Sequence, residues 1–296
     1  MAKRKQTETP EEKELDRIRH IDICNAQTGP IFLAFRNTDT IRKIMAAEKA
    51  KPCLYDFVTR EGIGQRVWRI SDPATVAAIE EAFKSVPHTY IADGHHRAAS
   101  AVKVGLKRRE ELGSYSGDEP FNTFLSVLFP EDELKVMDYN RVVKDLNGFT
   151  NEDFLKKLGE DWDITPVANA DAAKPAEKLH VGMLLNDQWY SITPKNAALT
   201  GDPVHDLDVS ILQERVLAPI LGIGDPRTDK RIDFIGGIRG LKELERRCHT
   251  DMKIAFAMHP TSMNELFAVA DKGLLMPPKS TWFEPKLRDG LFVHEI

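Results

Sequence analysis

The sequence predicts an α+β (mixed α/β) protein. Short apolar, β-favouring runs and helix-periodic segments both recur along the chain. They do so without the regular strand–helix alternation of a doubly wound sheet. In addition, 296 residues with 42% hydrophobic content can bury one large core or two modest ones. Charged residues make up 29%, and 41 Lys and Arg against 46 Asp and Glu leave a net charge of −5. This composition excludes a disordered chain and a fibrous repeat. The longest apolar runs, such as Ile31–Phe35, fall far short of the roughly 20 residues that span a bilayer.

The elements follow in order. Residues 1–8 are polar and expected to fray. Thr9 as N-cap, Pro10 at the first helical position and Glu12 at the capping-box position start a helix to about His20. Residues 25–30 form a loop and Ile31–Phe35 a buried strand. Thr38 or Thr40 caps a helix to about Ala50, and Leu54–Val58 and Val67–Ile70 are two strands around Gly62 and Gly64. Asp72-Pro73 starts a helix carrying Val76, Ile79 and Phe83 at helical spacing. Thr89–Ala92 is a short strand, and Ala98–Val104 a helix that Gly105 would terminate, with residues 108–120 as loop. Phe124–Phe129 and Lys135–Val143 read as strands, and Glu152–Leu158 as a helix. Pro166–Lys178 reads as a linker or insertion. Leu179–Leu185 and Gln188–Ile192 form a hairpin around Asn186-Asp187. Asp208 starts a helix to about Leu221. Ile232–Ile235, Gly236-Gly237 and Ile238–Arg247 give strand, turn and helix. Ile254–Met258 and Glu265–Ala270 repeat strand then helix, and Trp282-Phe283 and Leu291–His294 close the chain as short strands. The expected division is 1–148 and 149–296.

Cys24, Cys53 and Cys248 are far apart, and no Cys-x-x-Cys occurs. Three reduced thiols in a cytoplasmic protein are therefore expected, with no zinc ribbon. The basic opening Lys3-Arg4-Lys5 is not followed by an apolar stretch, so no secretory signal is read. The acidic balance disfavours a nucleic-acid partner.

The densest chemistry lies at Asp93-Gly94-His95-His96-Arg97, between an apolar strand and an Ala-rich helix. A helix N-terminus presents unpaired N–H groups and the positive end of a dipole. Gly94 lets the backbone approach a ligand, and Arg97 can fork two hydrogen bonds onto a phosphate. His95 and His96 add donors or a proton shuttle, and Asp93 can orient a hydroxyl. Phosphate recognition is the functional reading. The plainer one has Asp93 capping the helix, Gly94 turning the chain, and the rest as surface or packing residues. Adjacent histidines at a helix start diverge by about 100°, so no metal ligand is assigned.

Tyr90-Ile91-Ala92-Asp93-Gly94-His95-His96-Arg97-Ala98-Ala99 resembles the signature of the DUF 1015 family of bacteria and archaea. The resemblance extends through Asp16–His20, Asn25–Pro30, Asp138–Asp145, Asp225–Asp229 and Met276–Lys286, and so covers essentially the whole chain. Members usually carry a further segment before the position of Asp16, so an N-terminal part is expected to be missing here. The Gly-x-His-Arg core also resembles the ParB/sulfiredoxin-like superfamily, in which such a turn holds nucleotide phosphates. Archaeal free serine kinases share the Asp-Gly-His-His-Arg string.

The resemblance implies a ParB/sulfiredoxin-like nucleotide-binding core with an additional α/β region. It implies a phosphotransferase that uses ADP or ATP with Mg²⁺ and a free serine or similar alcohol as acceptor. Gly94, His95, His96 and Arg97 would hold phosphate, with Asp93 and His96 catalytic. The kinases' upstream glutamate base has no match; Glu80 and Glu81 are present but take no assigned role. A nucleotide-binding regulator without phosphoryl transfer, or an inactive truncated homologue, are the alternatives.

Lys279, Ser280 and Thr281 before Trp282 can add a cation, hydroxyls and a stacking ring to a nucleotide site, Lys279 and Thr281 as phosphate ligands. Equally, they form a Pro-bounded terminal strand with Trp282 in the core. Asn140, Arg141 and Lys144 read as a second polar site or, more simply, as a solvated strand edge. Gly236-Gly237 reads as a packing turn rather than an anion turn. Gly222-Ile223-Gly224 fails the dinucleotide fingerprint because Arg227 stands at the third glycine.

Overall fold

A computed structural model describes residues 10–196 and 199–296 of the chain. It is mixed α/β and divides into two compact units, residues 1–134 with 286–296, and residues 135–285. The sequence-based division put the junction at 148.

The first unit opens with α1 (Pro10–Cys24), one turn longer than expected. Thr9, its expected N-cap, lies outside the described residues, as do residues 1–8 and the side chain of Glu12. Then come β1 (Ala26–Gln27), β2 (Ile31–Phe35) and α2 (Asp39–Lys49). Thr38 caps α2, accepting from Ile41 N. A hairpin follows, β3 (Tyr55–Val58) with β4 (Gly64–Val67), and then α3 (Pro73–Phe83) under an Asp72 cap. The unit continues with β5 (Thr89–Asp93), α4 (His95–Leu112) and β6 (Ser126–Pro130). The sheet order is β5-β2-β6, β2 being antiparallel to β5 and parallel to β6. All five residues of β2 are buried. A central strand covered on both faces is a continuous apolar run, as this one is.

Gly105 does not end α4. The helix runs on to Leu112 and stops at Gly113, φ +74. A Cβ on Gly105 would lie 2.6 Å from the Phe121 carbonyl oxygen, so this glycine serves close packing. Residues 108–112, expected as loop, are helical for that reason.

The second unit is built on a six-stranded antiparallel sheet of order β12-β8-β13-β10-β11-β9. Its strands are β8 (Tyr139–Val143), β9 (Trp162–Val167), β10 (Val181–Leu185), β11 (Gln188–Pro194), β12 (Ile232–Gly236) and β13 (Ile254–Ala257). Beside it β7 (Lys135–Met137) pairs with β14 (Trp282–Glu284), and β15 (His294–Glu295) returns to the first unit to pair with β1. Helices cover both faces. Phe154 and Leu158 of α5 (Asn151–Leu158), Val209 and Leu212 of α7 (Asp208–Leu212) and Val269 of α9 (Met263–Asp271) pack with Val143, Phe256 and Met183. Ala173 of α6 (Ala170–Ala173) and Leu244 of α8 (Leu241–Thr250) pack with Val142, Ala255 and Leu184.

Pro166–Lys178 is not a linker. Its start completes β9, Asn169 caps α6, and Ala173 is buried with its carbonyl against Gly182. Nor is β8 a strand edge: it lies between β12 and β13, and Asn140 and Arg141 are buried. The expected hairpin turn holds, with Asn186 and Asp187 both at positive φ. Among the described residues no helix is long and apolar enough to cross a membrane.

Candidate functional site

The site in the first unit starts at the turn from β5 into α4. Gly94 makes it at φ +93, ψ 29, a left-handed conformation that suits a residue without Cβ. Gly94 has no capping oxygen, and no side chain caps α4 from that position. The positive end of an 18-residue helix is thus open to an external anion. Asp93 ends the strand instead of capping the helix. Its Oδ2 lies 3.7 Å from Arg97 Nη2.

Arg97 folds back over the turn. A Cβ on Gly94 would lie 3.0 Å from both its Nε and its Nη2, and one on Gly29 would lie 3.4 Å from its Cδ. Gly94 therefore makes room for this side chain, while Gly29 makes room for Asp289, whose Oδ1 would lie 2.7 Å from an added Cβ. The Nε of Arg97 is buried and has no hydrogen-bond partner among the described residues. A buried donor left unpaired is costly, about 1–3 kcal/mol, and marks a place where a partner belongs.

Arg97 lines a cavity of about 170 Å³ together with Arg17, His20, Gln27, Thr28 and Asp289. Arg17 and His20 are three residues apart on α1 and so share a helix face. The helix is held along α4 by Ile18 and Ile21 against Val104. Lys107 Nζ binds Asp22 at 2.5 Å, a hydrogen bond that keeps the Asp22 carboxyl below its ordinary pKa. Gln27 is fixed by accepting from Leu125 N at 2.7 Å. Gly290 N donates to the Thr28 carbonyl at 2.7 Å, which holds the neighbouring Asp289 at the rim.

Two guanidiniums, an imidazole and a hydroxyl around one small space suit a tetrahedral oxyanion. The volume is below the roughly 300–1,000 Å³ of whole-ligand pockets. It is the size of a single small oxyanion and too small to enclose a whole nucleotide.

Of the five motif residues, Arg97 lines this cavity and Asp93 lies beside Arg97. His95 and His96 are exposed on the first turn of α4 and do not line it. Lys279 and Thr281 belong to the second unit, where Lys279 Nζ sits 5.7 Å from the Tyr139 ring centroid and Thr281 just precedes β14. The Trp282 ring is occupied: it covers Gly236 at under 3 Å from an added Cβ and meets Tyr139 edge-on. Gly237 packs equally tightly on Asp138, so Gly236-Gly237 is a packing turn. Among the described residues no group of three or more His, Cys, Asp or Glu could hold a metal ion.

Arg17, His20, Thr28 and Asp289 received no role from sequence reasoning. The first three lie in segments that carried the family resemblance, and that was the available signal. Asp289 had none.

Similarity to solved structures runs the length of the chain at low identity. A free serine kinase mutant in complex with AMP is 15% identical, over 93% of this chain and 81% of that one, with a TM-score of 0.39. A conserved hypothetical protein from Pyrococcus furiosus is 14% identical, over 95% and 87%, with a TM-score of 0.37. C-terminally truncated SbnI from Staphylococcus aureus is 13% identical, over 96% and 79%, with a TM-score of 0.44. These likenesses are too loose to carry over any residue's role. No curated protein matches the chain. A family model described as a protein of unknown function, DUF1015, matches residues 4–210, more than half of the chain, and the chain therefore belongs to the DUF1015 family.

Proposed function

We propose that the protein is a nucleotide-dependent small-molecule kinase whose phosphate site is the Arg97 cavity. The observation that carries this is the buried, unpartnered Nε of Arg97 in a cation-lined cavity beside the uncapped start of α4. A terminal phosphate of ADP or ATP supplies the missing acceptor, and Arg17 and His20 share its charge. Gly94 keeps the backbone N–H groups of the first turn accessible.

Phosphoryl transfer needs little covalent help from a protein and much positioning. In this reading Asp93 orients the acceptor hydroxyl and takes its proton as the oxygen attacks phosphorus. The bond from phosphorus to the nucleotide's leaving oxygen breaks, and the shorter nucleotide departs with that electron pair. His95 and His96 stand exposed beside the turn, where they can meet the nucleotide outside the cavity. Mg²⁺ is compatible with Asp93 and Asp289, since it is usually held by one or two carboxylates together with substrate phosphates. It would neutralise phosphate charge. The acceptor we favour is free serine or a similar alcohol, in keeping with the Asp-Gly-His-His-Arg resemblance, and a reduced, cytoplasmic setting fits the three free thiols.

Incubation with Mg²⁺, free serine and either ATP or ADP, followed by mass spectrometry, tests the reading. Phosphoserine should form with the unaltered chain and be lost in Asp93→Asn and Arg97→Ala. Nucleotide binding without product would leave a binding protein that transfers nothing. Absence of both would overturn the proposal.

A further inference from the structure

Arg141 stands in the middle of the six-stranded sheet, on β8, and is only 3% exposed. Its cross-strand neighbours are Phe234 on β12 and Phe256 on β13. The guanidinium carbon lies 5.5 Å from the Phe234 ring centroid, a cation–π contact. Among the described residues its hydrogen bonding is confined to the carbonyl of Tyr139 on its own strand. Among the described residues no carboxylate lies within ion-pair distance of it. Burial without an anionic partner pushes its pKa down to about 9.

A guanidinium has several N–H donors in a rigid fork, and one is used here. Sheet interiors hold buried arginines where a carboxylate or phosphate completes them, because an uncompensated buried charge is strongly destabilising. The surroundings supply more of the same recognition. Tyr139, Arg141, Phe234 and Gly236 share one face of β8 and β12, by the alternation of the two paired strands. Tyr139 and Phe234 meet edge-on at 6.2 Å and are partly buried. Lys279 Nζ lies over the Tyr139 ring, in a residue held at φ +56. Ser280 beside it is buried; its hydroxyl donates to the Pro277 carbonyl at 2.6 Å and its backbone carbonyl accepts from Thr261 Oγ1 at 3.3 Å. That anchoring fixes Lys279 where it is.

We propose that Arg141 and Lys279 form an oxyanion site on the second unit, which takes a small metabolite through a carboxylate or phosphate group, with Tyr139 and Phe234 as its walls. Arg141 provides the forked, desolvated contact and Lys279 the exposed one at the mouth. The proposal goes beyond the kinase reading and concerns the second unit alone. It does not depend on Arg97.

The test is titration of the full chain with sodium phosphate and with sodium succinate, against sodium chloride at matched ionic strength. Thermal melts and calorimetry are the readouts. The unaltered chain and Arg97→Ala should both be stabilised by at least one of the two anions above chloride, and which anion works separates the phosphate source from the carboxylate source. Arg141→Met keeps length and removes charge. It should fold at least as stably without ligand and lose tenfold or more in anion affinity. Lys279→Ala should lose severalfold, and it carries the test if Arg141→Met does not fold. Anion binding unchanged in Arg141→Met or in Lys279→Ala overturns the proposal, as does a chain that no anion stabilises beyond chloride. Failure of ADP binding alone leaves it standing.

Discussion

Replacing Gly94 by alanine perturbs two things at once, and the structure separates them. The residue sits at φ +93, and an L-residue in the left-handed region costs about 1–2 kcal/mol. The new methyl would also stand 3.0 Å from Arg97 Nε and Nη2. Those atoms are the tip of a flexible side chain, so Arg97 yields and the crowding adds little to the stability loss. What it removes is the placement of the guanidinium in the cavity. A hydrogen bond to a charged group is worth about 1.5–3 kcal/mol, or about 10- to 100-fold in affinity. Gly113→Ala is the matched control. Gly113 also has positive φ, +74, but nothing lies within 4 Å of its added Cβ. Both variants should lose stability in urea, about 1–2 kcal/mol for Gly94→Ala and about 1–3 kcal/mol for Gly113→Ala, whose ψ of −36 lies outside the left-handed well, and Gly94→Ala alone should lose about 10- to 100-fold in ADP affinity measured by calorimetry. Equal ADP affinity in the two variants would refute the coupling of Gly94 to Arg97.

Two further outcomes follow from packing and charge. Gly105→Ala should destabilise the chain by about 1–2 kcal/mol, because overpacking against the Phe121 carbonyl at 2.6 Å outweighs the better helix propensity of alanine. A midpoint in urea equal to or above that of the unaltered chain would contradict it. Burial raises the pKa of Asp208 to about 6 from an unfolded value of 3.8, against the opposing hydrogen bond from Leu179 N at 3.0 Å. The folded state therefore binds this proton more tightly. The associated stability is full below about pH 4 and is lost as pH rises through about 6, at most about 3 kcal/mol. Asp208→Asn keeps an acceptor for Leu179 and should be more stable at pH 7, with less loss of stability between pH 4 and 7. Parallel pH profiles for the two proteins would count against this.

Much of the local structure is legible in the sequence because local chemistry decides it. Thr38 and Asp72 cap their helices, Asn186-Asp187 turns its hairpin, and Ile31–Phe35 is the central strand that its unbroken apolar run describes. Errors arise where a distant partner decides. Gly105 has the composition of a helix end, and only the approach of Phe121 makes it a mid-helix contact. Pro166–Lys178 has linker composition, yet Trp162–Val167 pairs along β11 and Ala173 is buried in the core. Arg141 looks like a surface residue because charge usually implies exposure; its burial follows from β8 being flanked by two strands. The cavity shows the same limit. The Asp93–Arg97 motif is visible in one segment, whereas Arg17, Thr28 and Asp289 join it only through the packing of α1 on α4 and the return of residues 286–296 to the first unit.

The Arg97 cavity is judged most directly by ADP binding, measured by calorimetry for the unaltered chain and Arg97→Ala at one fixed salt concentration. The unaltered chain should bind ADP, and Arg97→Ala should bind it at least tenfold more weakly while melting at a similar temperature. Equal dissociation constants, or no binding by the unaltered chain, would contradict a phosphate site at Arg97.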